Sequence, residues 1–293
     1  MLRLRMAAMI TLSTAIGAVL GAGDAGALSA FAGGATALGA CLEAGLYVAL
    51  VTGCASILNQ VLERDTDALM ERTRNRPLVT GRVDVLHASA LAVALGVLGT
   101  MGLGLRFGLL PAALVLATLV VYLSVYTPLK RVTSMNTAVG AIPGAAPPLI
   151  GYAALAGEVG PWGWSLFAMV FVWQFPHFMA IAWLHRADYR RAGHRMLPAL
   201  EGAEGMAGRQ AVLYSLVGLP ISLLPVLAGM AGPLYAVGVL ALGAAYLAVS
   251  IAFARQENRR RARTLLHVSL AYLPLLFALI LLDPMVRAAI LVP

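Results

Sequence analysis

The chain has little charge and almost no cysteine. Only 12% of its 293 residues are Asp, Glu, Lys or Arg, with 13 acidic side chains in all. Soluble domains carry about 25% charged residues, so this composition excludes an ordinary water-soluble globule. No polar stretch is long enough to form a separate soluble domain, and residues 1–293 read as one membrane-embedded unit. The two cysteines, Cys41 and Cys54, both fall in apolar sequence. They offer neither a disulfide framework nor a metal-ligand or redox spacing. Nucleophile-elbow and phosphate-loop glycine patterns are missing as well. Any chemistry must therefore come from the few charged residues.

What is present is hydrophobic. Apolar residues make up 60% of the chain, with 30 glycines and a mean hydropathy of +0.85. Apolar windows of about 20 residues, the length that crosses the hydrocarbon core, recur throughout. Backbone amides cannot stay unpaired in lipid, so such windows must be helices. We expect an all-α membrane protein with helices near 6–23, 36–60, 86–104, 109–127, 136–156, 162–185, 211–229, 233–254 and 266–286. The start of the chain, Arg3 and Arg5 before an apolar run and Ala25-Gly-Ala27 after it, also resembles a secretory signal. The run from Met6 to Gly23 is longer than a usual signal core, so a retained first helix, with no transit peptide before it, is expected.

The basic residues test that count independently. Arg64, Arg72, Arg74, Arg76 and Arg82 lie between helices 2 and 3, and Lys130 and Arg131 between 4 and 5. Arg186, Arg190, Arg191, Arg195 and Arg209 lie between 6 and 7, and Arg255, Arg259, Arg260, Arg261 and Arg263 between 8 and 9. Only Arg106 and Arg287 fall on the other side. This alternation implies a cytoplasmic N-terminus and an outside C-terminus. The net charge of +8 is then a topology signal rather than a nucleic-acid surface. The last basic loop reads as a plain orientation signal. The opposite face holds only scattered Asp24, Glu158 and Asp283 and is given no chemistry.

One stretch gathers most of the charge, from Asn59 through Glu63, Asp65, Asp67, Arg72, Arg74 and Arg76 to Leu78. Asn59, Glu63 and Asp67 are spaced i, i+4, i+8, which stacks three oxygen-bearing side chains on one helical face. Such oxygens suit Mg2+ shared with a phosphate ligand, and the arginines downstream suit phosphate oxygens. A solvated interhelical loop is the plainer reading. A second group, His177, His185 and Asp188, keeps to one flank if helix 6 runs through Asp188. Asp188 then either completes a metal cluster or pairs with Arg186 or Arg191. Lys130 and Arg131 are either a diphosphate grip or a topology marker. His177, at membrane depth, either meets a ligand in a cavity or is a hydrogen-bonded packing residue. Gly140 to Pro148 forms either a kinked cavity wall or a tight packing surface. His87, His194 and His267 show no partner pattern and are read as structural.

These segments carry a resemblance. Asn59-x3-Glu63-Arg64-Asp65-x-Asp67-x2-Met70-x-Arg72-Thr73-x-Asn75-Arg76-Pro77-Leu78 resembles the first acidic motif of the UbiA-type intramembrane prenyltransferases. Tyr126-Thr127-x2-Lys130-Arg131-x-Thr133-x2-Asn136 and Gly140-x3-Gly144-Ala145-x-Pro147-Pro148-x2-Gly151 resemble the protohaem IX farnesyltransferase (haem O synthase) subgroup of that family. So do Trp173-Gln174-x-Pro176-His177-Phe178 and Arg186-x-Asp188-Tyr189-x2-Ala192-Gly193-x2-Met196-Leu197-Pro198. The resemblance spans roughly residues 52–200.

The resemblance implies about nine transmembrane helices in a ring around a central cavity. It also implies farnesyl transfer from farnesyl diphosphate to a vinyl group of haem B, giving haem O, with Mg2+ as cofactor. Asn59, Glu63, Asp67 and Asp188 become the catalytic metal contacts, and Arg72, Arg76, Lys130 and Arg131 the diphosphate contacts. His177 is the candidate haem contact. The implied partners are the two substrates, the lipid bilayer and a haem-pathway or terminal-oxidase assembly protein. The implied location is a bacterial plasma membrane with the site loops cytoplasmic. Glu63 departs from the family pattern, which has Asp there, and the extra methylene moves its oxygens. Two other readings are a prenyltransferase for another aromatic acceptor, such as a quinone precursor, and a membrane haem-binding or transport protein.

Overall fold

The computed structural model describes residues 4–24 and 34–291. Arg3 and the Ala25–Ala27 stretch used above lie outside the described residues. Among the described residues nine long helices follow one another: α1 Leu4–Asp24, α2 Gly34–Leu62, α3 Val85–Phe107, α4 Leu109–Val120, α5 Asn136–Ala156, α6 Pro161–Leu184, α7 Met206–Ser222, α8 Pro233–Arg255 and α9 Arg259–Leu282. All nine, with α4 extended to Leu129 and α7 to Leu227, are long and apolar enough to cross a membrane. No strand occurs among the described residues. A shorter helix, Pro284–Leu291, follows α9.

The helices exceed their apolar windows where charge hid their ends. Hydropathy starts helix 9 near 266, yet α9 begins at Arg259, its first turn capped by the Asn258 side chain accepting from the Arg261 amide at 2.9 Å. Hydropathy marks the stretch that suits hydrocarbon, whereas the helix itself runs on to its cap. Likewise α7 starts at Met206 rather than 211. Helix 6 does not run through Asp188: it ends at Leu184, His185 breaks the helical geometry, and a short helix Arg186–Arg191 follows.

The helices close into two connected groups. Helix α1 packs on both α2 and α5, and α2, α3, α4 and α5 pack in succession. Helices α6, α7, α8 and α9 pack in succession, α9 returns to α6, and α5 joins α6. Small residues set the closest approaches, as expected where packing rather than water drives helix association. A Cβ at Gly17 would lie 1.9 Å from the Pro148 carbonyl oxygen, so α1 and α5 touch backbone to backbone there. The proline-rich centre of α5, with Pro143, Pro147 and Pro148 all buried, is thus a packing surface. Gly140, in the same run, leaves room for the Tyr126 ring, which a Cβ would strike at 2.5 Å. Large apolar side chains such as Leu98, Leu105, Leu109 and Val237 remain exposed on the outside, as lipid-facing residues do.

Candidate active site

One end of the helical assembly gathers three segments far apart in sequence. The Glu71 amide donates to Asp188 Oδ1 at 3.2 Å across 117 positions. The Arg195 amide donates to the Lys130 carbonyl at 2.7 Å, and Asn136 Nδ2 to the Arg195 carbonyl at 3.2 Å. The segments after α2, α4 and α6 therefore share one face, as the alternation of basic residues requires. Between them lies a cavity of about 230 Å3, lined by Asn59, Glu63, Asp67, Arg72, Arg76 and Lys130 among its polar groups.

The oxygen-bearing wall comes from the end of α2. The helix breaks at Glu63 (φ −100°, ψ 12°) and a short helix, Arg64–Leu69, follows. The break does not spoil the i, i+4, i+8 alignment, because the Glu63 amide still donates to the Asn59 carbonyl at 2.9 Å and the Asp67 amide to the Glu63 carbonyl at 2.7 Å. All three side chains are buried and face the cavity. Thr73 Oγ1 donates to the Asp67 carbonyl at 2.8 Å, folding the arginine-bearing segment back over this wall.

Every carboxylate of the two acidic segments that is buried has a basic partner. Lys130 Nζ donates to both oxygens of Glu63 at 2.9 Å and to Asn59 Oδ1 at 3.2 Å. Arg76 pairs with Asp67, and Arg191 with Asp188. Asn59 Nδ2 donates to Glu63 Oε2 at 2.6 Å, leaving its oxygen toward Lys130. Burial pushes the Asp67 carboxyl above the usual range despite Arg76 beside it. Asp188 behaves oppositely: burial alone would raise it, but the Glu71 amide and Arg191 outweigh that and hold it low.

A π-helical turn, Val121–Tyr126, shapes the remaining wall. Such turns concentrate at functional sites. Thr127 Oγ1 donates to the Tyr122 carbonyl at 2.8 Å and to Asn59 Oδ1 at 3.3 Å, locking the turn to α2. Tyr122 and Tyr126 both line the cavity, and Lys130 Nζ lies 4.6 Å from the centre of the Tyr126 ring.

Not every residue singled out in the sequence lies in this wall. Asp188 is buried beside it, one position before the cavity-lining Tyr189. Arg131 is exposed and is not among the cavity-lining residues. His177 is turned to α9, its Nδ1 2.8 Å from Ser269 Oγ and its ring stacked on Trp173, while its neighbour Phe178 lines the cavity. Gln174 donates to the Ala141 and Val170 carbonyls, both at 3.1 Å, and so ties α6 to α5.

Conversely, Tyr122, Asn136, Thr137, Tyr189 and His194 line the cavity, although only the resemblance had touched some of them. His194 is buried, with no hydrogen-bond partner for Nδ1, and burial lowers its pKa. Its only sequence signal was its place between Gly193 and Met196.

The donor set fits a divalent cation shared with a ligand. No group of three or more His, Cys, Asp or Glu capable of caging an ion occurs among the described residues. Mg2+ is usually held by one or two carboxylates plus substrate phosphates, and Asn59, Glu63 and Asp67 offer oxygens of that kind in one wall. Lys130 and Arg76 already place positive charge against those oxygens. The cavity is smaller than the roughly 300–1,000 Å3 pockets that enclose drug-sized ligands, so it suits a polar headgroup rather than a whole lipidic substrate.

Comparisons with known proteins identify relatives of the chain and of its fold. The family model of the UbiA prenyltransferase family matches residues 9–280. A protein named protoheme IX farnesyltransferase from Solibacter usitatus (strain Ellin6076) is 46% identical over 234 residues, 80% of each chain. One of the same name from Koribacter versatilis (strain Ellin345) is 44% identical over 245 residues, 81% of this chain and 79% of its own. Among solved structures, a UbiA homolog from Aeropyrum pernix K1 has a TM-score of 0.72 at 20% identity, covering 96% of this chain and 98% of that one. A UbiA homolog from Archaeoglobus fulgidus bound to GPP and Mg2+ has a TM-score of 0.57 at 16% identity, covering 94% and 97%.

Proposed function

Because this chain belongs to the UbiA prenyltransferase family, we propose that it transfers a farnesyl group from farnesyl diphosphate to a vinyl group of haem B, giving haem O. The observation that carries the reading is the cavity where Asn59, Glu63 and Asp67 face Arg72, Arg76 and Lys130. Acidic and basic groups are held there in pairs that a diphosphate and its counter-ion can exchange. The relatives' shared name supports haem B as the acceptor.

In this reading Asn59, Glu63 and Asp67 would hold Mg2+, and Asp188, buried beside that wall, would complete the metal contacts from the second segment. Bound there, Mg2+ supplies positive charge to the departing diphosphate. Lys130, Arg76 and Arg72 turn to phosphate oxygens and stabilise the negative charge that grows on them as the allylic carbon–oxygen bond breaks. Arg131, exposed next to Lys130, is a diphosphate contact in this reading. Tyr122 and Tyr126 present ring faces on which an allylic cation is stabilised. Phe178, Ile181 and Ala182 keep water from the cation until the vinyl carbon attacks. Water then captures the second cation and gives up a proton, leaving the hydroxyethylfarnesyl substituent. His177, held against α9 by Ser269, is kept as the candidate haem contact.

The protein is an integral membrane protein by its nine apolar helices. We place it in a bacterial plasma membrane, N-terminus and site loops cytoplasmic and C-terminus outside, on the bias of its arginines. One domain comprises the whole chain, and its product passes to a haem-pathway or oxidase-assembly partner. Mass spectrometry of haems extracted after incubating the purified protein with farnesyl diphosphate, Mg2+ and haem B tests the reading. Haem O is the expected product; prenylated 4-hydroxybenzoate in a parallel incubation, with no haem O, would replace the acceptor.

A further inference from the structure

The loop between α8 and α9 holds five arginines within nine residues: Arg255, Arg259, Arg260, Arg261 and Arg263. One carboxylate, Glu257, lies among them, yet it does not neutralise them. Its two oxygens turn inward, accepting from Trp183 Nε1 at 3.0 Å and from the Gly208 amide at 2.7 Å. None of the five arginines forms a salt bridge among the described residues. Beside them lies a second cavity of about 320 Å3, lined by Gln256, Asn258, Arg260, Arg261 and Thr264 over Val249 and Ala252. Arg261 is anchored in its wall, one guanidinium nitrogen donating to the Ala252 carbonyl at 2.7 Å. A basic residue that served orientation alone would have no need of such anchoring, nor of a cavity.

The depth of this cavity selects its occupant. Val249 lies six residues before the end of α8 and Thr264 five residues into α9, which at 1.5 Å per residue is about 7–9 Å from the helix ends. The polar layer on each side of a bilayer is about 5–7 Å thick. At that depth the cavity spans a headgroup layer, with Gln256, Asn258, Arg260 and Arg261 nearest the helix ends and Val249, the lining residue farthest from them, at its apolar inner edge. We infer that it binds the phosphate headgroup of an anionic phospholipid, with Arg260 and Arg261 on the phosphate and the glycerol and first methylenes against α8. A free phosphate would use the arginines but not the apolar floor.

Native mass spectrometry of the full chain, purified with added phosphatidylglycerol or with phosphatidylcholine, tests this. Wild-type protein retains phosphatidylglycerol, and Arg260→Gln, an exposed position, lowers its retention about tenfold, the loss of one charge-assisted hydrogen bond to the phosphate. Arg209→Gln removes the same charge from the same face outside the cavity and leaves retention unchanged. Equal losses in the two variants, or equal retention of the two lipids, would reduce the loop to diffuse attraction and overturn the site. Displacement of the lipid by excess inorganic phosphate would reassign it to the free ion. Lipid retention is read without turnover, so the result stands apart from the prenyl-transfer reading.

Discussion

The two ends of this molecule each bury carboxylates, and they neutralise them differently. Asp283, wholly buried, accepts from the amides of Gly232, Tyr235, Met285 and Val286 at 3.0–3.3 Å. Burial alone would raise its pKa, but four fixed donors outweigh it and hold the carboxyl low. Asp67 and Glu63, at the other end, are each answered by one long cationic side chain, Arg76 and Lys130, with Asn59 also donating to Glu63, and Asp67 is pushed up. Backbone amides cannot leave their acceptor without unfolding the helix ends, whereas an ammonium or guanidinium can rotate away. The first arrangement cements a fold; the second leaves charge that a ligand can redistribute.

Substitution at the site should separate the two ends most sharply. Asp67→Asn and Asp188→Asn should each lower haem O formation by about 10²–10³-fold or more, with the protein still inserted in the membrane. Wild-type turnover by either purified variant would remove its assigned role. Next in size, Lys130→Met should cost about 3–5 kcal/mol of stability by stranding Glu63 as an uncompensated buried charge. Adding Glu63→Gln should restore the thermal transition in detergent but not the activity. A double variant as unstable as the single one would mean that the pair contributes packing rather than charge balance.

At the opposite end, Asp283→Asn should cost about 2 kcal/mol through the loss of charge-assisted hydrogen bonds. Turnover per folded molecule should stay unchanged, and a fall in that quantity would tie this end to the chemistry. The smallest effect concerns pH. A raised folded-state pKa means the folded protein holds the Asp67 proton more tightly than the unfolded chain, so stability falls as pH rises from about 4. Asp283, with its depressed value, contributes stability above about pH 4 and loses it only as pH falls through its folded-state value. Thermal melts of the ligand-free protein between pH 4 and neutrality (about 7) should therefore flatten in Asp67→Asn. An unaltered slope would place the titration elsewhere.

Much of this was legible in residues alone. Nine apolar windows became nine helices because unpaired amides are intolerable in lipid, and the spacing of Asn59, Glu63 and Asp67 kept its alignment through the break at Glu63. The ends of α7 and α9 were misjudged because hydropathy follows the lipid boundary, while the helix follows its caps. The π turn that brings Tyr122 and Tyr126 to the cavity leaves no mark in periodicity, since one extra residue per turn depends on Thr127 finding the Tyr122 carbonyl. His177, left open between cavity and packing, bonds Ser269 on α9, while His194, read as structural, lines the cavity. Depth in an apolar helix drew notice to the first, whereas the second sits in a loop whose path only its neighbours fix.

Taken by itself, then, the order of residues determined a membrane-spanning helical chain, the face on which its arginines gather, and the short-range alignment of its acidic side chains, because hydration cost and helical repeat are local properties. Tertiary structure alone decided the partnerships between distant segments. Lys130 reaches Glu63 across 67 positions, Glu71 meets Asp188 across 117, and Glu257 turns away from the arginines around it. Those partnerships arise from how helices pack, and packing is settled only when every helix has found its neighbours.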